Sequence, residues 1–395
     1  MEQAELRELF SPGGLSLLDS LPVWKSSDDV VKTVAELRRA GHSPGLVAAV
    51  LSQAKLRARA IDKFGPFASR MLFTEDGLEQ ATRLRVAALH AGRFRDAGLD
   101  RIADLGCGIG ADALALAGIE LTVTAVERDE VTAAIAAYNL APFSRVTVEH
   151  GDANDVDFAG FDGVYLDPAR RSGGRRLSDP ADWSPSLDFA FGIGLPTGVK
   201  LGPGIDRDLI PPSTADRPVE AQWVSIDHDV VELGVWTGPL ARPGVGRSAL
   251  VIGAGGSAEL TAPADSEDAA TGTLGEFLYE PDGAVIRARL IGDLARRLDA
   301  RMLHPQIAYL TADTAQVTPF ARCFRIAETL PLDEKAIKRE LKARDIGTLE
   351  IKKRGVDIDP AVFRKRLAPK GSRSATLILT RMGERRVALL ADRLD

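Results

Sequence analysis

Ile102-Ala103-Asp104-Leu105-Gly106-Cys107-Gly108-Ile109-Gly110 sets an acid just ahead of three glycines alternating at 106, 108 and 110. The run predicts a strand that breaks into a tight turn and re-enters a helix. Residues without a Cβ accept the positive φ of such a turn and let a ligand touch the main chain. The spacing departs from the G-x-G-x-x-G fingerprint, because the third glycine comes one residue early and an acid lies inside the turn. A pyrophosphate seeks amide N–H groups and a helix N-terminus. An acid repels it and suits a ligand carrying an ammonium group.

The residues that follow supply more of such a site in order. Val123 to Val126 reads as a buried strand of small and β-branched residues and ends at Glu127, 21 positions after Gly106, where a carboxylate can accept two ribose hydroxyls. A third strand, Arg145 to Val148, leads to Asp152, placed to accept an adenine amino group. A fourth apolar run, Phe161 to Leu166, ends in Asp167-Pro168-Ala169-Arg170-Arg171. All four loops follow the carboxyl ends of successive strands, where open doubly wound sheets bind ligands. S-adenosylmethionine, an aminoacyl cation joined to an adenosine, meets these requirements. Taken one at a time, Glu127 and Asp152 read first as solvated loop carboxylates, the ordinary state of an isolated acid.

At this point the chain resembles the class I S-adenosylmethionine-dependent methyltransferases. Asp104, Gly106, Gly108, Gly110, Glu127, Asp152 and Asp167-Pro168 match that family's motifs in order, over residues 99–262. The resemblance implies a Rossmann-like α/β doubly wound sheet, with those residues on the cofactor and Asp167 reaching it as well.

Composition agrees with an enzyme of more than one domain: the chain has 395 residues, 45% of them hydrophobic. The net charge of −6 is unevenly spread. Residues 325–395 hold 18 Lys and Arg against 11 Asp and Glu, an excess of +7 that leaves −13 to the remainder. Two cysteines, Cys107 and Cys323, make neither a disulfide framework nor a metal cluster. The first residues carry acids where a signal peptide needs a basic segment, and no apolar run has spanning length. We therefore expect a cytoplasmic protein with no membrane partner and no metal; its oligomeric state is not legible.

Three segments differ in texture. Residues 1–98 read as a helical domain, with helices at Val30 to Arg39, Pro44 to Phe64 and Leu78 to Ala97, the third started by Thr74 or Asp76. The bulky residues between Lys63 and Arg83 either dock this segment on the sheet or form a lid, with Gln80 or Arg83 reaching in. A sheet domain over 99–262 continues through strands at Gly198 to Leu201, Gln222 to Ile226, Val230 to Trp236 and Ser248 to Ile252. A small-residue linker at 263–273 follows. Residues 274–395 read as an α+β region, with helices at Ala284 to Asp299, Asp333 to Arg344 and Pro360 to Leu367 and strands at Gln306 to Leu310, Ala375 to Thr380 and Arg386 to Leu390. Leu349-Glu350-Ile351-Lys352-Lys353-Arg354-Gly355-Val356-Asp357 and Ala375-Thr376-Leu377-Ile378-Leu379-Thr380-Arg381 resemble the THUMP-like domain fused to bacterial methyltransferases, over about 325–394. THUMP domains in related proteins bind structured RNA, often tRNA, so the resemblance implies that partner by analogy.

Enzymes of this class that methylate exocyclic amines use an (Asp/Asn)-Pro-Pro-aromatic loop. Asp167 and Pro168 match it, whereas Ala169 replaces the second proline and Arg170 the ring. Asp167, Pro168 and Arg170 are the expected catalytic residues, with Arg170 stacking on a base or holding a phosphate. Neither cysteine is placed to attack a pyrimidine carbon, which favours a nitrogen or oxygen acceptor. Arg170, Arg171, Lys200, Lys352, Lys353 and Arg354 are the expected substrate-binding residues, and Lys200 reads equally as a surface lysine. His228 reads as a polar strand-end residue. The leading expectation is methyl transfer to structured RNA. A small-molecule or protein acceptor, and an RNA-binding protein that keeps the cofactor without transferring, stay open.

Overall fold

The computed structural model describes residues 3–21, 27–168, 171–172, 175–176 and 183–394. The chain forms two compact units, Met1–Lys200 with Trp236–Leu240, and Leu201–Val235 with Ala241–Asp395.

The first unit begins with helices α1 (Gln3–Leu9), α2 (Gly14–Ser20), α3 (Ser27–Arg39) and α4 (Pro44–Phe64). Ser43 caps α4, its hydroxyl accepting from Leu46 N–H at 3.1 Å, and Pro44 fills the first turn, where an absent N–H costs nothing. The helix expected over Leu78 to Ala97 is instead two, α5 (Glu75–Gln80) and α6 (Leu84–Asp96). The periodicity carries across the break, but Ala81 leaves helical geometry at ψ 138°. The Lys63 ammonium stops α5 by taking the carbonyls of Leu78, Glu79 and Ala81 at 2.7–2.8 Å. Thr74 is the cap of α5, accepting from Gly77 N–H.

The sheet follows: β1 (Arg101–Leu105), α7 (Ala111–Gly118), β2 (Thr122–Glu127), α8 (Glu130–Leu140), β3 (Val146–His150), β4 (Gly163–Leu166), the short pair β5 (Arg171–Ser172) and β6 (Arg175–Arg176), α9 (Leu187–Gly192) and β7 (Thr197–Leu201). The order β7-β4-β1-β2-β3 is parallel throughout. Its topological switch lies between β1 and β4, where a doubly wound sheet opens a crevice at its carboxyl edge. One buried cluster runs from Leu9, Val50, Phe64, Leu72 and Phe73 into Ile102, Leu116, Ala136 and Tyr165, so the N-terminal helices and the sheet share a core.

In the second unit β8 (Val219–Ile226) and β9 (Asp229–Thr237) neighbour each other across a turn whose Asp227 and His228 both take positive φ, 50° and 73°. β10 (Arg247–Gly253) runs parallel to β8, and β11 (Gly256–Ala262) pairs antiparallel with β10. β12 (Phe277–Pro281), α10 (Gly283–Arg287), α11 (Ile291–Arg297), β13 (Arg301–His304), β14 (Ile307–Ala312), β15 (Ala321–Pro331), α12 (Glu334–Ala343), β16 (Ile346–Lys353), α13 (Pro360–Leu367), β17 (Arg373–Met382) and β18 (Arg385–Leu394) complete it. The single helix expected over Ala284 to Asp299 divides at Arg289, whose φ of 58° no α-helix accommodates. The last strands form a seven-stranded sheet in the order β13-β14-β12-β15-β18-β17-β16, antiparallel except for β16 beside β17. Ile337, Leu341, Phe363 and Leu367 of α12 and α13 pack on one face of it, against Leu349, Ile351, Leu377 and Leu379.

Candidate active site

The glycine turn is built as its spacing requires. Gly106, Gly108 and Gly110 take φ of 74°, 57° and 85°. At Gly106 a Cβ would stand 3.2 Å from the Asp167 carbonyl oxygen, and at Gly110 it would stand 2.9 Å from Leu140 Cδ1. The positive φ at both positions, with backbone close by at the first and Leu140 at the second, therefore favours glycine over larger residues. The N–H groups of Gly106 and Cys107 both donate to Val126 O, at 2.9 and 3.1 Å, which draws the turn onto the end of β2.

Two carboxylates border this turn. Glu127 accepts from Gly108 N–H through Oε2 at 3.0 Å and from Asp129 N–H through Oε1 at 2.8 Å, so each oxygen fixes one loop. Asp104 is 1% exposed, and its Oδ2 makes no hydrogen bond. Burial, then the charges of Asp112 and Asp167, push its carboxyl well above the usual range. Asp104 thus places a buried acid with an unused oxygen beside the glycine-lined bend, an arrangement that costs stability while it stays unpartnered. Asp152 is part-buried, and its Oδ1 accepts from Asn154 N–H at 2.9 Å and Asn154 Nδ2 at 2.6 Å. The backbone bond from Asn154 contributes most to holding it below the usual carboxylate range.

At the end of β4, Asp167 Oδ2 lies 2.5 Å from Lys200 Nζ on β7, with the lysine side chain 11% exposed. The same ammonium donates to Thr82 Oγ1 at 2.9 Å and approaches Gln80 O at 3.4 Å. Thr82 in turn donates to Asp112 Oδ2 at 2.7 Å, and Asp112 Oδ1 stands 2.9 Å from His90 Nδ1, itself 3.0 Å from Tyr165 Oη. Burial pushes Asp112 up, but the bonds from His90 and Thr82 and the charge of Lys200 bring it below the usual carboxylate range. Burial, reinforced by the positive charges of Lys200 and Arg83, lowers Lys63 to about 8.

The N-terminal segment is docked onto this turn. Asn139 of α8 accepts from Leu72 N–H at 2.8 Å and donates Nδ2 to Leu72 O at 3.0 Å and Ile109 O at 2.9 Å. Gln53 of α4 binds both backbone groups of Phe73. Phe64, Met71, Leu72, Phe73 and Leu78 are all buried. Of the residues expected to reach inward, Arg83 is instead tied to Asp62 at 2.6 Å, and Gln80 contributes only its backbone oxygen. Thr82, between them, is the one that points to Lys200. Sequence reading marks Thr82 as a polar residue of this segment without giving it a role, and passes over Asp112, His90 and Asn139, although one signal is present: Asp112 is the only polar residue in the otherwise apolar helix α7.

Ala169 and Arg170, and the side chains of Arg171, Arg175 and Arg176, lie outside the described residues. Cys107 is buried, and burial with the charge of Asp104 pushes its thiol well up, the reverse of a nucleophile's tuning. His228 sits in the β8–β9 turn with Nδ1 3.0 Å from Asp282 Oδ2. In the second unit the basic run divides by strand alternation: Lys352 and Arg354 are part-buried, while Lys353 is exposed. Among the described residues no helix is long and apolar enough to cross a membrane.

Comparison with known proteins agrees with this architecture. Residues 321–393 match the THUMP domain-like family, and residues 2–60 match a domain of unknown function, DUF8688. The S-adenosylmethionine-dependent methyltransferases MT3122 and Rv3037c of Mycobacterium tuberculosis, from strains CDC 1551 / Oshkosh and ATCC 25618 / H37Rv, are each 34% identical to this chain over 341 residues, 83% of this chain and 91% of theirs. A crystal structure from Porphyromonas gingivalis W83, assigned as a methyltransferase, shares the fold with a TM-score of 0.70 at 22% identity, covering 94% of this chain and 99% of that one.

Proposed function

Because the chain belongs to the S-adenosylmethionine-dependent methyltransferase family, we propose that it methylates a nitrogen of structured RNA, with Asp167 at the transfer point. The observation that carries this reading is the Asp167–Lys200 pair at the lip of the glycine turn: the Asp167 carbonyl abuts Gly106, and its carboxylate is fixed by an ammonium 2.5 Å away.

The cofactor fits the residues present. Asp104 offers an unshared buried oxygen for the amino group, Gly106, Gly108 and Gly110 leave main chain accessible, Glu127 stands where the ribose would lie, and Asp152 takes the adenine end. When bound there, the sulfonium supplies an electrophilic methyl group and a neutral thioether leaving group. The protein's own part is positioning, since the donor is already activated. Asp167 accepts a hydrogen bond from the acceptor amine and favours the positive charge developing on nitrogen. Pro168 offers its carbonyl to the same amine. Lys200, anchored to Thr82, keeps the Asp167 carboxylate in one orientation and is a positioning residue. Arg170 and Arg171 follow this corner directly and supply guanidinium groups for a base or a phosphate.

RNA is favoured over a small molecule by the THUMP-like region at 321–393 and by the +7 excess of the residues from 325 onward. The partner and the cysteine usage suit a cytoplasmic enzyme. The test is transfer of labelled methyl from S-adenosylmethionine to RNA from cells lacking the gene, followed by nucleoside mass spectrometry. Label in one methylated nucleoside, absent with Asp167→Ala, is the expected result. Label in protein or small molecules alone would overturn the RNA assignment.

A further inference from the structure

In the seven-stranded sheet of the second unit, three cations gather around one part-buried acid. Glu280 of β12 is 15% exposed; its Oε2 lies 2.8 Å from Lys352 Nζ and 3.7 Å from Arg322 Nη1, and its Oε1 lies 3.9 Å from Arg354 Nη2. Lys352 Nζ also stands 5.8 Å from the Phe324 ring, and the Arg354 guanidinium 5.4 Å from the Tyr309 ring. Arg381 joins them through Gly355, where a Cβ would lie 3.4 Å from Arg381 Nε and 2.3 Å from Ile307 Cδ1. The φ of 75° at Gly355 and this lack of room hold Arg354 close over Tyr309. A second acid, Glu350, stands 3.4 Å from Lys352 but is half exposed.

Arg322 Nε and Arg381 Nε are buried without a hydrogen-bond partner, and Tyr309, a residue with no exposed surface, sets its hydroxyl against the Arg354 guanidinium. Native interiors rarely leave such groups unpaired, and half-buried cations cost stability unless an anion meets them. A planar carboxylate accepts in one plane, whereas a tetrahedral phosphate takes guanidinium forks, an ammonium and a hydroxyl from different directions.

We propose that Arg322, Lys352, Arg354 and Tyr309 form a pocket for one phosphate group, and, resting on the RNA reading above, that this phosphate belongs to RNA. Glu280 preorganises the cations and sets the affinity. Lys353, on the opposite face, lies outside the pocket.

The test uses the full chain with two probes, unfractionated bacterial tRNA followed by fluorescence anisotropy across a salt series, and inorganic phosphate followed by calorimetry. The double variant Lys352→Met with Arg354→Met should weaken tRNA binding about tenfold or more and lower the log–log salt slope by about 1. Glu280→Gln should tighten tRNA binding a few-fold, and Tyr309→Phe should weaken it a few-fold with an unchanged or raised thermal midpoint. These two variants keep the cations in place and separate a phosphate role from a packing role. If tRNA binds every variant with wild-type affinity and slope, the pocket is refuted and the RNA reading survives. If tRNA does not bind the wild type while phosphate binds in a Lys352- and Arg354-dependent way, the pocket stands and its RNA source is overturned. Failure of both probes removes both.

Discussion

Lys200 Nζ and Asp167 Oδ2 meet at 2.5 Å from the ends of two neighbouring parallel strands, β7 and β4, in register at Leu166 and Val199. Parallel pairing carries both residues to the same edge, so the ion pair follows from the register and needs no loop to arrange it. Lys200→Met should cut methyl transfer about 100-fold, the cost of a misplaced reacting group, while adenosylhomocysteine affinity by calorimetry stays within a few-fold. Lys200→Arg should recover part of the loss in kcat. Equal loss of cofactor binding would place Lys200 in the cofactor site instead.

Asp104 makes stability depend on pH. Its folded pKa lies above the unfolded value of about 3.9, mainly through burial. Between the two values the folded state holds the extra proton, so stability falls as pH rises from the unfolded pKa toward the folded one. Asp104→Asn should therefore match wild type in urea unfolding at pH 4 and exceed it by about 1 kcal/mol or more at pH 7, while losing cofactor affinity. A variant less stable at pH 7 would contradict this.

Glu127→Gln replaces one of two acceptors with an amide that must face the N–H of Gly108 or Asp129. We expect a loss of about 1–3 kcal/mol in stability and a loss of adenosylhomocysteine affinity of at least about tenfold, as a charged acceptor is stronger than a neutral one. Unchanged affinity would show that the ribose is held elsewhere.

Gly110→Ala combines a positive φ with a Cβ 2.9 Å from Leu140 Cδ1. The conformational cost alone is about 1–2 kcal/mol, which for a unit of this size lowers the thermal midpoint by about 2–8 °C. Calorimetric unfolding checks it, and a midpoint at the wild-type value would mean that the turn relaxes freely.

The parts of the site that were legible are those whose geometry is set within a few residues. Asp104 with Gly106, Gly108 and Gly110 can be read because a strand-end acid and positive-φ positions are local requirements, and helix α4 because Ser43, Pro44 and its apolar period agree. The role of Thr82 was not legible, since its partners Asp112 and Lys200 lie 30 and 118 positions away. The break between α5 and α6 was hidden for the same reason: the ammonium that stops α5 comes from Lys63, and periodicity alone runs through the gap. Strand β15 (Ala321–Pro331) escaped notice because its second half alternates half-buried and exposed residues without a strong apolar run. In the basic tail, composition located the charge, but only pairing showed that Lys352 and Arg354 share Glu280.

The three hydrogen bonds of Asn139 tie Leu72 and Ile109 to a single side chain. One amide thus serves as a rivet between the segment at Leu72 and the glycine bend at Ile109, so that stiffening the bend should also quiet the backbone near Leu72. Amide exchange at Leu72 should slow when adenosylhomocysteine is added, so that a residue ahead of the sheet reports on occupancy of the proposed site.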